Sequence, residues 1–296
     1  MTNIDICYIF CPIQEKYISR ALYTLYKYSK PDSFRVIVID QTKHGFSDEV
    51  RKYVTPLIHL YMHPYRNLGY AKAMNEGLIH ALHWKTPLIC PANDDVEIID
   101  PRWLDGIKET FALRPKIGCV VPMSPRVAGW GYGVPGYPEV LPYKEEYSKE
   151  DYDYLLKGNF SNKDAILPKT MPRTIGNTVV DGAVFTMPYF SRKCLQDVGL
   201  MDEHFYPGSG EDTDWNARAY QKGWRVLSTS KSWIWHWWSK SKDLFASGEL
   251  EDSYYKPKDH PYWNNHSDLW PEGFDIWGRK DGKILPRKKE VFVDQI

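Results

Sequence analysis

No stretch of this sequence is long and apolar enough to be a spanning helix, because no such run approaches the ~18 residues a bilayer crossing needs. The first ten residues lack a basic start and a small-residue cleavage site, so they do not read as a secretory leader. Net charge is also missing. The 38 basic and 38 acidic side chains cancel, which removes any global electrostatic pull toward nucleic acid or an anionic membrane and leaves only local patches. There is no CxxC pair: Cys7, Cys11, Cys90, Cys119 and Cys194 are scattered and odd in number. Most lie in apolar, strand-like stretches, which predicts buried free thiols in a reducing compartment. These absences together predict a cytoplasmic protein without a transmembrane segment, with peripheral membrane contact left open. The GxxxxGK[ST] loop and the GxGxxG fingerprint are absent too, which argues against a P-loop nucleotidase and a Rossmann dehydrogenase.

Aromatic residues, by contrast, are abundant: 12 Trp, 21 Tyr and 11 Phe in 296 residues, with Trp and Tyr crowded into the second half. Sugar rings stack their C–H faces on such side chains. The same residues equally serve to pack an irregular region.

The first 121 residues alternate strand and helix signals, which indicates βαβ units and a mostly parallel sheet. Strands are expected at Ile4–Phe10, Phe34–Ile39, Leu57–Met62, Pro87–Cys90 and Ile117–Val121, with helices over Glu15–Ser29 and Tyr70–His83. Asp100 and Pro101 read as an N-cap and first helical residue of a helix running to about Arg114. Residues 122–176 lose periodicity among prolines and glycines, and long loops of this kind are usually functional or mobile. Order returns with a strand over Val179–Met187, a short helix to about Val198, a helix over Glu211–Gln221 ended by Gly223, and strands at Trp224–Leu227 and Ser232–His236. From about Ser239 the chain is polar and rich in Pro and Trp.

Several polar residues fall where chemistry is done. Asp40 ends a buried strand, the edge of a parallel sheet at which ligands bind, although a turn-capping role fits equally. Asn93-Asp94-Asp95 ends another strand. Adjacent acids are costly unless a cation sits between them, and Mg²⁺ or Mn²⁺ takes one or two carboxylates and completes its shell with phosphates and water. An ordinary Asn/Asp-rich turn is the alternative. Glu211, Asp212 and Asp214 open a helix. They complement its dipole, but three acids in four residues exceed what capping requires, and a carboxylate held in a pocket can act as a general base. His236 stands among indoles, as a packed residue or as a ligand for an ion such as Mn²⁺. The Asn67–Gly77 segment offers Gly69 for a tight turn and Lys72 to reach a phosphate.

In order, VIVID ending at Asp40, NLGYAKAMNEG, ANDDVEIIDPRWL, and DGAVFTMPYF followed by VGLMDEHFYPGSGEDTDWNARAYQKGW and a late His236 resemble family 2 glycosyltransferases. Within that family the rhamnosyl- and galactosyltransferase-like subset is closest. The resemblance spans about residues 4 to 241 and weakens across 122–176. It implies an α/β GT-A fold, the nucleotide-diphospho-sugar transferase fold, with a mostly parallel central sheet flanked by helices. Residues 1–240 would form that domain, 1–121 as the nucleotide-sugar half and 122–240 as the acceptor half. Residues 241–296 would be an aromatic-rich extension packed on it.

The roles implied by the resemblance are specific. Asp40 would contact the base, and the Asn67, Gly69 and Lys72 segment would line the nucleotide pocket. Asn93 and Asp94 would join the donor site as part of a DxD-like motif, with Asn93 in place of its first Asp. Asp95 and His236 would hold Mn²⁺ or Mg²⁺. Asp212 would be the catalytic base, Glu211 would orient the acceptor, and Gly182 would let substrate approach. The implied reaction is an inverting transfer from a UDP-, dTDP- or GDP-linked sugar to a hydroxyl of a glycan, lipid-linked or other acceptor, a nucleic-acid acceptor being disfavoured. A non-catalytic carbohydrate-binding protein, a sugar nucleotidyltransferase and a glycosidase are the alternatives.

Overall fold

The structure, a computed structural model, describes residues 5–99, 101–123, 179–181, 185–206, 208 and 210–237, with two short strands at 279–280 and 283–284. The aperiodic stretch over 122–176, Gly182 and the C-terminal extension thus fall wholly or mostly outside the described residues. Among the described residues no helix is long and apolar enough to cross a membrane.

The chain alternates strands and helices as the periodicity predicts. In order they are β1 (Ile6–Phe10), α1 (Ile18–Tyr28), β2 (Phe34–Ile39), α2 (Asp48–Val54), β3 (Leu60–Met62) and α3 (Tyr70–His83). Then follow β4 (Leu88–Ala92), β5 (Val96–Ile98), α4 (Trp103–Ala112), β6 (Ile117–Met123), β7 (Val179–Asp181) and β8 (Tyr189–Ser191). The series closes with α5 (Arg192–Val198), α6 (Glu211–Gln221), β9 (Arg225–His236), β10 (Arg279–Lys280) and β11 (Lys283–Ile284).

The main sheet runs β3-β2-β1-β4-β8-β6-β9-β5, with β7 also on β9. The β3, β2, β1 and β4 strands are mutually parallel, as are β6 and β9; β8 is antiparallel to both its neighbours, and β5 and β7 are antiparallel to β9. The expected mostly parallel α/β sheet is therefore present.

Strand parity builds two cores. On β1, Ile6, Tyr8 and Phe10 face the layer of α1 and α4, while Cys7, Ile9 and Cys11 on and just after it face the layer of α3, α5 and α6. Both faces of β1 are buried, which is why it reads as an unbroken apolar run. All five cysteines are free and buried, and Trp103, Trp215 and Trp235 are wholly enclosed. The described tryptophans thus include core packing residues.

Three expectations need correction. The helix predicted to start at Pro101 begins at Trp103, with Arg102 in the capping position and no side-chain cap. Of the strand expected over Val179–Met187, Val179–Asp181 form β7 and Phe185–Met187 are not in a strand, residues 182–184 lying outside the described residues; pairing is found again at β8. The two strands expected around Ser228–Lys231 are one, β9. Its polar middle is accommodated because Thr229 is buried and meets the Thr110 hydroxyl at 3.0 Å, and the register jumps from Pro122–Thr229 to Met123–Trp233. That bulge swings the end of β9 off β6 and onto β5.

Candidate active site

The carboxyl ends of β1, β2, β3 and β4 lie along one edge of the sheet, where a parallel sheet binds ligands. Asp40, fully buried after β2, uses both oxygens internally. Oδ1 accepts from the Thr42 amide at 2.9 Å and hydroxyl at 2.6 Å, while Oδ2 accepts from the Phe46 amide at 2.9 Å and the Tyr61 hydroxyl at 2.6 Å. Burial first, then the Asp40 carboxylate, pushes the Tyr61 phenol up to about 12. Asp40 therefore shapes the 41–47 loop.

Its neighbour Gln41, which sequence reasoning passed over, joins three strand ends. It donates to Cys11 O at 3.2 Å and accepts from Leu68 N at 2.7 Å. Asn67 Oδ1 takes the Gly69 amide at 2.8 Å, and Gly69 at φ 76° turns the chain into α3. That conformation is open to glycine at little cost. Lys72 is held 3.5 Å from Glu203, a half-exposed pair across to the second half of the chain.

The acidic turn after β4 and the end of β9 meet directly. Asp95 Oδ1 lies 3.0 Å from His236 Nε2, and Asn93 Nδ2 lies 3.2 Å from the same nitrogen. Antiparallel pairing of β5 with β9 sets Val96 opposite His236 and makes this contact. Asp95 and His236 are buried, whereas Asp94 stays partly exposed. Burial of its carboxyl, and then the Asp95 charge beside it, pushes Asp94 up to about 8. Two adjacent carboxylates thus resist ionising together without a cation.

The donor set fits a hard divalent ion. Bonds of about 2.1 Å at right angles put neighbouring ligands about 3 Å apart, the spacing of Asp95 Oδ1 and His236 Nε2. Among the described residues no group of three or more His, Cys, Asp and Glu side chains gathers as a metal cage. Two protein donors leave the remaining positions to substrate oxygens and water, the usual arrangement for Mg²⁺.

The acids opening α6 divide their work. Asp214 pairs with Arg218 at 2.8 Å, and Arg218 donates to Val198 O at 3.1 Å and Leu200 O at 3.0 Å, so this acid is structural. Glu211 is buried and Asp212 partly exposed. Asp212 Oδ2 accepts from Phe185 N at 3.4 Å, and the next residue, Thr186, accepts the Asn93 amide through its carbonyl at 2.9 Å. A single dipeptide therefore ties Asp212 to the turn that carries Asp95. The phenol of Tyr70, at the start of α3, is raised by burial and then by Glu211, with Asp212 adding to it. The Cys11 thiol is raised by burial and then by Asp94.

Asn75 was another omission. From within α3 it donates to Met201 O at 2.8 Å and accepts from Met201 N at 3.0 Å, which fixes the segment around Met201 against α3. Its signal was a polar residue on an otherwise apolar helix face.

No protein-family model and no curated protein matches the sequence. Solved structures do match its shape. Residues 1–349 of TarS from S. aureus superpose with TM-score 0.50 at 14% identity over 82% of this chain and 62% of that one. The same fragment with UDP-GlcNAc gives TM-score 0.51 at 14% identity, covering 86% and 63%. GalNAc-T7 with UDP, GalNAc and Mn²⁺ gives TM-score 0.53 at 13% identity, covering 90% and 54%. The chain spans less than two thirds of each of these. The likeness establishes the fold: the chain has the GT-A architecture seen in nucleotide-sugar glycosyltransferases.

Proposed function

We propose that the chain is a glycosyltransferase moving a sugar from a UDP-, dTDP- or GDP-linked donor to a hydroxyl of a glycan, lipid-linked or other acceptor, with inversion. The observation that carries this is the Phe185–Thr186 dipeptide, bonded on one side to Asp212 and on the other to the Asn93 turn. This link supports reading Asp212 as a base that works near a cation held by Asp95 and His236. The shared fold, found also in structures solved with UDP-GlcNAc and with UDP, GalNAc and Mn²⁺, supports the donor class.

In this mechanism Asp212 takes the proton of the acceptor hydroxyl while that oxygen attacks the anomeric carbon. The bond from that carbon to the diphosphate oxygen breaks, and the nucleoside diphosphate leaves from the opposite face. A positioned base of this kind contributes about 10²–10⁴-fold. Glu211, buried at the same helix start, orients the acceptor. Asp40 and the Asn67–Lys72 turn shape the nucleotide side, and the uncharged Asn93 stands beside His236 where the usual motif has an acid. Asp95 and His236 would hold Mn²⁺ or Mg²⁺, which when bound neutralises charge on the leaving diphosphate. The five buried free thiols favour a reducing, cytoplasmic setting.

The test is calorimetric titration of UDP-, dTDP- and GDP-sugars with and without Mn²⁺. One donor class should bind more tightly with metal, and Asp95→Asn should lose most of that gain. No binding of any donor under either condition would overturn the proposal and favour a carbohydrate-binding protein.

A further inference from the structure

Trp237 directly follows His236 and is fastened at four points. Its backbone N–H donates to Asp95 O at 2.9 Å, extending the β5–β9 ladder past the Val96–His236 pair. Its indole Nε1–H donates to Glu97 Oε1 at 2.7 Å. The indole also packs on Tyr17, with ring centroids 6.1 Å apart, and lies beneath the Arg20 guanidinium at 5.8 Å. Two of these contacts reach the strand that follows Asp95, and two reach the start of α1.

Glu97 is the other half of the device. Its side chain is only 2% exposed, and the same Oε1 lies 3.3 Å from Arg20 Nε. A buried carboxylate is costly unless charged and polar donors satisfy it, so a glutamate at this point of a short strand calls for a reason. The strand is pinned to α1 a second time, one residue on, where the Ile98 amide donates to the buried Thr24 hydroxyl at 3.0 Å. β5 is thus clamped between α1 and the end of β9, with Asp95 at its head. Nothing about this clamp is required to bury β5, because Val96 and Ile98 already point into the apolar core.

We propose that Glu97, Trp237 and Arg20 form a lock that holds His236 against Asp95, so that the lock sets how tightly the chain takes up a divalent cation. The inference rests on Asp95 and His236 being the cation ligands. Residues that orient ligands in this way typically change metal affinity 10–100-fold when altered. They are positioning residues; none of them touches substrate or ion. The lock reinforces the backbone ladder: without the indole-to-Glu97 bond, the end of β9 is held to the Asp95 turn by backbone hydrogen bonds alone, and the 3.0 Å spacing of the ligand pair is enforced less firmly.

The experiment follows uptake of Mn²⁺ through loss of the free-ion electron paramagnetic resonance signal, alone and with UDP or GDP present, in the full chain. Trp237→Phe keeps the ring on Tyr17 but removes the donor, and should raise the Mn²⁺ Kd by about 10–100-fold. Glu97→Gln retains an acceptor for the indole and should bind close to wild type, while Glu97→Ala should match Trp237→Phe. Arg20→Met removes the charged partner of buried Glu97, so it should lower the melting temperature as well as weaken uptake severalfold. Wild-type Mn²⁺ affinity in Trp237→Phe, Glu97→Ala and Arg20→Met, with only the melting temperature lowered, would reduce the lock to a packing feature and overturn the inference. Asp95→Asn separates the two levels. If it abolishes uptake while the lock variants do not, only the lock falls; if it binds Mn²⁺ like wild type, the cation site falls and the lock with it.

Discussion

Asn75 and Asp94 are both polar residues with buried groups, and they make opposite demands. Asn75 satisfies both backbone groups of Met201 from a buried helix face, so Asn75→Ala strands a buried N–H and a buried carbonyl. The cost should be about 2 kcal/mol, read as a lowered urea midpoint at unchanged slope. Asp94 is the reverse case. Its folded pKa is raised from 3.8 to about 8, by burial first and then by Asp95. The folded state therefore holds the Asp94 proton more tightly than the unfolded chain does. Stability from this group is fully present below about pH 4 and is lost as pH rises toward 8. Melting curves of metal-free protein should show Asp94→Asn and wild type alike near pH 4, with the variant progressively more stable as the pH approaches 8. A pH-independent difference would refute the raised pKa. The chemistry of these residues was unevenly legible. Asp95 and His236 are far apart in sequence, and His236 sits in a run of indoles that disguises it locally as packing. Only the order of motifs along the whole chain linked them, and the 3.0 Å contact now supplies a physical reason.

Secondary structure was most legible where burial and periodicity agreed. The Phe34–Ile39 strand and the Tyr70–His83 and Glu211–Gln221 helices have the bounds that their patterns predict, because each presents a clean apolar face or a fully buried run between clear stops. Reading failed where tertiary partners absorb polar residues. Ser228 to Lys231 looks like a break, yet β9 runs through it because Thr110 on α4 receives Thr229. The start of α4 was misjudged because an Asp-Pro pair suits a helix start locally, while the helix begins two residues later at Trp103. α4 approaches β9 so closely that a Cβ on Gly106 would come within 2.2 Å of the Lys231 carbonyl oxygen. A backbone atom cannot yield as a flexible side chain can. Gly106→Ala should therefore destabilise the fold by about 1–3 kcal/mol by urea unfolding, despite the better helix propensity of alanine. A neutral or stabilising result would mean that α4 can move away from the sheet.

At the scale of the whole molecule, the β3-β2-β1-β4 part of the sheet and the later 185–206 segment are joined by a few long-range hydrogen bonds. Asn75 to Met201 and the Asn93 amide to Thr186 are buried or nearly so, and they tie α3 and the end of β4 to the 185–206 segment. The half-exposed Lys72–Glu203 pair lies on the same seam but adds little, since solvent screens it. The fold class was readable from alternating strands and helices, whereas the seam was not, because it depends on single groups meeting across long stretches of sequence, from Asn93 to Thr186 and from Asn75 to Met201. Donor and acceptor identity depend on pocket shape, which periodicity does not encode. The decisive measurement is release of nucleoside diphosphate from a panel of UDP-, dTDP- and GDP-sugars with Mn²⁺ and candidate acceptors, comparing wild type with Asp212→Asn. Wild type should turn over one donor class, and the variant should bind that donor normally while releasing product about 10²–10⁴-fold more slowly. Equal turnover by both proteins would remove Asp212 from the chemistry and overturn the proposed base-assisted transfer.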